Sequence, residues 1–498
     1  MKRFFFIIGI GVFSLPVFSQ NDIDAMRYSQ TYFGGTSRSK AMAGSFGALG
    51  ADGSCMGNNP AGIGLYKKGE MNFSFGLRFF SVEASHNGTS NKNFKANVPF
   101  DGLTLVGAWN SKVQPDNHHA LGLSCNQIIN FGSNASIEGR SNFKSIASDF
   151  LSLANGKTLA NLDNGYTGMA YDNYLIDLYD TITNQYTSLI NPKYDLKQSK
   201  TIETTGRINE WCFSYAYGYK DKLYIGATLG IPTITYNYNS VYSEIDDKDS
   251  MRLNTNSAPT YSYLSQGVGG FKDLSYQETF KTTGTGYNLK LGVIYRAADF
   301  IRLGASFHSP TIYTLTDGYV YKMTANYDEG GSFTTQDPPD NGGKFNYQII
   351  TPMKFTGSIA LLYQKIGAIN IDYDIINYKQ AGLQSTPQVF TDVNSTIRSK
   401  YNQTSNVRVG AEANLKPMFV RLGYAMYGSP FGETFTGDFV KSFFTGGVGF
   451  RREKMYVDIS LTRSMSNENY YMYNPNFVDK STLKNSGTTI AFTIGVKF

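Results

Sequence analysis

The chain has 498 residues, with 45 basic against 39 acidic side chains for a formal charge of +6, 51 Gly, and 15% aromatics carried by 36 Tyr and 35 Phe. A mean hydropathy of −0.29 excludes a bundle of membrane helices, each of which needs an apolar run of about 20 residues. So weak a charge with no basic tract excludes a nucleic-acid footprint. Aromatic, Gly-rich and only 17% charged, the composition is that of a large antiparallel β protein.

Residues 1–19 read as an export signal. Lys2 and Arg3 precede an apolar run from Phe4 to Phe18, with small residues at Val17 and Ser19 before Gln20. Cys55, Cys125 and Cys212 are odd in number and at no metal-like spacing, so neither a disulfide framework nor a metal site is expected. Residues 20–69 are rich in Gly and small side chains and lack sustained period-two alternation. They read as a compact plug ahead of the first strand.

From Met71 onward the chain alternates. Met71, Phe73, Phe75 and Leu77 alternate with Asn72, Ser74 and Gly76; Leu223, Ile225 and Leu229 with Tyr224, Gly226 and Thr228; Ile369, Ile371 and Tyr373 with Asn370, Asp372 and Asp374. One apolar face and one polar face suit a strand between hydrocarbon and a polar interior. About fourteen such segments occur, centred near Phe75, Val106, Leu123, Phe213, Ala227, Leu291, Leu303, Ile359, Ile371, Val409, Leu422, Val448, Ile459 and Ile494. Their connections alternate long and short. The long ones run 84–100, 131–205, 237–276, 328–344, 380–402, 428–438 and 465–485. That is the pattern of an outer-membrane barrel, with short periplasmic turns and long external loops, and a sandwich has no reason to follow it. The fold expected is all-β: a transmembrane antiparallel β-barrel of about fourteen strands over 70–498, with an N-terminal hatch.

In the longest loop, 131–205, Phe143, Ile146, Ala147, Phe150, Leu151 and Ala154 fall at helical spacing before Gly156. Tyr171, Tyr174, Leu175, Leu178, Tyr179 and Ile182 repeat it, so two amphipathic helices are expected, packed together or leaving an apolar groove at the barrel mouth.

At Asp52-Gly53-Ser54 through Asn59-Pro60-Ala61-Gly62 the sequence resembles the FadL family of outer-membrane long-chain fatty acid transporters, which carries Asn-Pro-Ala at this point of its hatch. Similar stretches lie at Arg302 to Pro310, at Thr351-Pro352, at Ala368 to Tyr373 and at Arg408 to Glu412. The resemblance implies a fourteen-stranded barrel in the outer membrane of a Gram-negative bacterium, closed by an N-terminal hatch gated at Asn59, Pro60 and Ala61. It implies external capture of a hydrophobic ligand near the loop helices, for which Ile146, Phe150, Leu178 and Ile182 are the candidates. Lumenal binding and lateral exit through a kinked wall strand follow, the kink being expected within 126–132. Phe498 resembles the terminal signal read by the outer-membrane assembly machinery.

By strand parity Lys290, Arg302, Arg408 and Arg421 point inward, as do Asp372, Asp374 and Glu412. A carboxylate cargo such as a fatty acid needs a cation in an otherwise apolar pocket, and Arg408 with Arg421 are the first candidates. The alternative is an ion ladder, Arg408 pairing with Glu412 or Asp372. An enzyme is not expected: only His308 of the four His lies on a strand, and its inward parity does not suit the membrane-facing triad of a lipase. Asp246, Asp247 and Asp249 fit a divalent cation or a solvated acidic tip. No cofactor is expected. A transporter for hydrophobic small molecules is the reading, with outer-membrane lipid around it; the alternative is a component of a protein secretion system with a stable protein partner.

Overall fold

A computed structural model describes residues 22–111, 114, 116–251, 268–339, 342–364, 366–385, 390–432 and 439–498. The signal sequence expected at 1–19 lies outside the described residues. Fourteen antiparallel strands form the wall. The first seven are β1 (Glu70–His86), β2 (Phe100–Asn110), β3 (His118–Asn130), β4 (Lys197–Tyr219), β5 (Leu223–Ile245), β6 (Gly269–Ala298) and β7 (Ile301–His308). The rest are β8 (Lys354–Tyr363), β9 (Gly367–Asn377), β10 (Gln403–Leu415), β11 (Met418–Tyr427), β12 (Lys441–Arg452), β13 (Met455–Tyr470) and β14 (Ser481–Lys497). Each pairs with the next, and β14 returns to β1 from Glu70↔Lys497 to Ser85↔Thr482, closing the barrel. All fourteen predicted centres fall on these strands.

Alternation sets which face meets what. Outward residues such as Ile225 (50% exposed), Leu229, Ile371 and Ile459 form an apolar belt, while inward Thr228, Asn370, Asp372 and Asp458 are buried. No backbone donor can go unpaired in hydrocarbon, so the ladder must close on itself. Several strands break and resume near the upper rim. β2 is preceded by Thr89–Asn97, β3 continues as Ser133–Arg140, β7 as Ile312–Glu329, and β8 is preceded by Gly343–Ile350. Three of these breaks hold Pro99, Pro310 or Pro352, residues that cannot donate to a ladder.

The sequence reading placed the loops too low. β4 begins at Lys197, β5 runs to Ile245 and β6 begins at Gly269, well inside what was read as loop. Above the belt the outward face turns from aliphatic to Thr and Asn, so the apolar signal that marked the strands inverts while the ladder continues.

Residues 22–65 fill the lumen as three helices, α1 (Asp22–Ser29), α2 (Ser37–Ala41) and α3 (Cys55–Asn58), and a 3-10 turn, Pro60–Leu65. Met42, Phe46, Leu49, Cys55, Met56 and Ile63 pack against Val106, Ala120, Cys212, Ala216 and Ala360 of the wall. Charge adds direction to this packing. Arg38 holds Glu412 through two bonds of 2.9 Å, Arg421 reaches Glu412 and Asp458 at 2.6 Å each, and Lys40 reaches Asp101 at 2.5 Å. The Asp372 carboxylate accepts from the Phe46 and Gly47 amides. Where hatch backbone comes closest the wall carries Gly: a Cβ at Gly226 would collide with Pro60, and one at Gly410 with Met42.

The Arg38–Glu412–Arg421–Asp458 network is buried, and removing one member strands its partners without water. Arg421→Met should lower stability by about 3–5 kcal/mol. The check is the thermal midpoint together with protease resistance of residues 22–65. The barrel ladder itself should survive.

Candidate functional site

The loop after β3 forms a cap over the external end. It holds helix α4 (Ile146–Ala154), helix α5 (Thr167–Asp172) and a hairpin, Ile176–Asp180 with Gln185–Ser188. The first expected helix is present, N-capped by Ser145. The second is cut short: Tyr174 takes a left-handed backbone and the chain turns back at Asp180, whose carboxylate accepts from the Ile182 and Thr183 amides. Asp is a strong turn former, and the flanking Ile, Tyr and Thr favour strands. Leu178 and Ile182 are therefore hairpin residues, Ile182 being 90% exposed at the turn. Phe150 is fully buried edge-on to Tyr166 at 4.7 Å.

Beneath α4 lies a cavity of about 270 Å³ lined by Ile146, Leu153, Tyr166, Tyr242, Tyr276 and Tyr473, with Lys200 and Glu278 at one side. The tyrosine hydroxyls are committed to the surroundings. Tyr166 donates to Asp149, Tyr242 to Glu244 and Tyr276 to the Gly165 carbonyl, and Tyr473 accepts from Gln198. Asp149, Lys200, Glu278 and Asn474 share the lining with the tyrosines. Burial pushes the Asp149 carboxyl up, against the bonds from Tyr166 and Asn474.

A second cavity, about 120 Å³, sits in the lumen between the hatch and the wall, bounded by Tyr28, Tyr32, Asn58, Tyr313 and Tyr427. Its cations differ sharply in state. Lys290 is paired with Glu210. Arg408 holds Asp374 at 2.8 Å and Asp372 at 3.3 Å. Lys354 also lines the cavity; among the described residues its ammonium makes no ion pair or hydrogen bond, with Asp374 the chief acid acting on it. His308 donates from Nε2 to the Asn58 carbonyl at 2.7 Å. Arg302 lies elsewhere, donating to the Leu49 carbonyl at 2.8 Å, and Arg421 sits in the hatch network. The parity argument reached Lys290 and Arg408 but passed over Lys354, which the outward Phe355 and Ile359 of the same strand place inside.

The cavity reaches the wall at Asn126 and Ile128, beside Gly34 of the hatch, where the ladder is interrupted. β2 and β3 pair only up to Gly102↔Asn126. The β3–β4 register then slips between Gln127 and Ile129, and β3 breaks before Ser133. Among the described residues no ladder joins Thr89–Asn97 to Ser133–Arg140; side chains close the seam. Arg78 donates to Asn130 Oδ1 at 2.7 Å and the Gly132 carbonyl at 2.9 Å, Asn97 to Asn130 at 3.1 Å, and Lys95 to Asn134 at 3.1 Å. Gly34 of the hatch lies against the Gln127 carbonyl, where any side chain would collide.

Asn59 caps the 3-10 turn by accepting from the Ala61 amide at 3.2 Å, and it donates to Gly47 at 2.6 Å and to Val293 of β6 at 3.2 Å. Pro60 starts the turn, and Ala61 packs with Tyr224 and Ile294. At the external tip Asp246 accepts from the Met251 amide and Asp247 pairs with Arg140. Among the described residues no three His, Cys, Asp or Glu gather to hold a metal ion.

This is the architecture of a hatch-closed barrel with a lumenal cavity beside a broken wall strand. In fold the chain is similar to a Pseudomonas aeruginosa FadL homologue, with 13% identity, a TM-score of 0.53, and coverage of 94% of this chain and 100% of that one. It is equally similar to the Pseudomonas putida toluene transporter TodX, at 12% identity, TM-score 0.53, and coverage of 94% and 99%. At such identity what is shared is the fold. No family model and no curated protein matches the sequence.

Because side chains alone close the seam, Arg78→Ala with Lys95→Ala should speed hydrogen exchange at 89–97 and 133–140. Exchange along the continuous β4–β5 ladder should not change. Equal rates in all of these segments before and after mutation would show that a hidden ladder holds the wall.

Proposed function

We propose that this chain is a passive outer-membrane transporter for hydrophobic carboxylates, long-chain fatty acids foremost. The reading places capture in the tyrosine-ring cavity under α4, binding in the lumen, and lateral release at the seam between β2 and β3. One observation carries it: the lumenal cavity holds Lys354, whose ammonium makes no ion pair or hydrogen bond among the described residues, and it is lined at Gly34, Asn126 and Ile128 beside the stretch of the β2–β3 boundary where no ladder is present among the described residues. A half-buried ammonium that bonds to no neighbour can take one more acceptor, so the site favours an anionic head group. The apolar tail of such a ligand has a path through the seam to the bilayer.

The external cavity suits the first step. At about 270 Å³ it exceeds the ~150 Å³ of an apolar cavity that admits benzene, and four tyrosines are in its walls. Asn59-Pro60-Ala61, which ties the hatch to β6, is the proposed gate. Lys290 and Arg408 shape the lumenal field through their carboxylate partners, with Arg302 and Arg421 fixing the hatch. A secretion component would need a lumen closed to small ligands, and the cavity beside Lys354 argues against that role. Phe498, 65% exposed at the end of β14, is the proposed signal to the assembly machinery.

Lys354→Gln should weaken palmitate binding by about 10- to 100-fold, the equivalent of one charge-assisted hydrogen bond of roughly 1.5–3 kcal/mol. Methyl palmitate binding should not change. Isothermal titration of the detergent-solubilised protein reads both. Equal palmitate affinity in the two proteins would remove Lys354 from the site.

A further inference from the structure

The wall stands far above its apolar belt on one side. The last apolar rank of outward side chains has Trp211 opposite Ile231 and Tyr287 opposite Ile312. Two ranks higher on the same strands and the same face, Arg207, Thr235, Thr283, Thr316 and Asn346 stand in register across β4, β5, β6 and the strands Ile312–Glu329 and Gly343–Ile350. The rank above holds Thr205, Asn237, Lys281 and Lys344. Successive ranks are about 7 Å apart, and the strands about 4.8 Å. The result is a flat hydroxyl and amide face, with Thr316 bonded to Asn346 at 2.7 Å and Asn237 to Thr205 at 3.1 Å.

In these two ranks the only charges are Arg207, Lys281 and Lys344. All three are exposed, and among the described residues none has an ion pair or hydrogen bond. The outward acid of the next rank, Glu203, is taken by Lys95 at 2.9 Å. Some external cations elsewhere are neutralised, Arg140 by Asp195 and Asp247 and Lys144 by Asp479, while others, such as Lys193 and Lys322, are exposed.

We infer that this face docks the phosphorylated saccharide head groups of the outer-leaflet glycolipid. The inference rests on the outer-membrane reading above. The face is continuous with the lipid-contacting belt, so its neighbour is whatever lies just outside the hydrocarbon. Hydroxyl and amide ladders match sugar hydroxyls. Three unpaired cations within two or three ranks of the boundary match phosphates at that depth. A phospholipid head group is too short to reach the upper rank.

The test uses the full mature chain in detergent, incubated with rough-type bisphosphorylated lipopolysaccharide, passed through gel filtration and weighed by native mass spectrometry. The wild type should retain the glycolipid, and Arg207→Gln with Lys281→Gln and Lys344→Gln should retain at least tenfold less. Dephosphorylated lipopolysaccharide on the wild type should behave like the triple variant. All three positions are exposed, so folding of the variant is verified by unchanged heat-modifiable gel mobility. Equal retention by both proteins overturns the inference. So does retention of phosphatidylglycerol equal to that of the glycolipid, or full competition by the deacylated phosphorylated oligosaccharide, which would mark a site for free glycan. Failure of the outer-membrane reading is distinct: neither protein would then insert into phosphatidylcholine vesicles.

Discussion

Everything in this molecule depends on the requirement that no backbone hydrogen-bonding group be left open in hydrocarbon. Closing β14 onto β1 along sixteen paired positions, from Glu70↔Lys497 to Ser85↔Thr482, meets it with strands alone. The cost of the closed cylinder is a lumen that must be filled or left wet. The chain fills it with its own first segment, residues 22–65, bound by apolar packing and by buried ion pairs. Buried ion pairs stabilise little net but penalise every alternative placement, so Arg38, Arg421 and Lys40 specify where the hatch sits more than how strongly.

The same requirement makes the seam between β2 and β3 meaningful. The ladder stops at Gly102↔Asn126, at the upper edge of the apolar belt, and above that level the two strands meet without one. Arg78, Asn97, Lys95 and Asn130 bridge the seam with side chains, which can rotate away where a ladder cannot. The hatch reaches this place through Gly34, and the lumenal cavity opens here. The wall thus has here a boundary where closure depends on a few rotamers, and Lys354 lines the cavity behind it.

The two cavities are chemically unlike, and that difference carries the direction of the proposed path. The external one offers tyrosine rings whose hydroxyls are occupied, so it rewards apolar surface. The lumenal one carries more polar groups, with the ammonium of Lys354 among them, so it rewards a head group. A ligand with both features has a reason to move inward from the first to the second.

How much of this was legible from the residues varies with the length scale. Period-two alternation within the belt placed all fourteen strands, because hydrocarbon outside and water inside impose one face each on every strand. It failed above the belt, where Thr235, Thr283 and Thr316 replace aliphatic side chains and the strands run on unmarked. Helical spacing found α4 but misread Leu178 and Ile182, since a short apolar run between turn residues fits either period, and Asp180 decided for a hairpin. Parity put Lys290, Arg302, Arg408 and Arg421 inside without telling a free cation from a paired one. Whether an inward charge is spent or available depends on which acids the closed barrel and the folded hatch bring beside it. Glu210 pairs with Lys290 across about eighty residues of chain, whereas Asp374, the acid that acts on Lys354, is bonded to Arg408 instead; that distinction exists only once distant strands are neighbours.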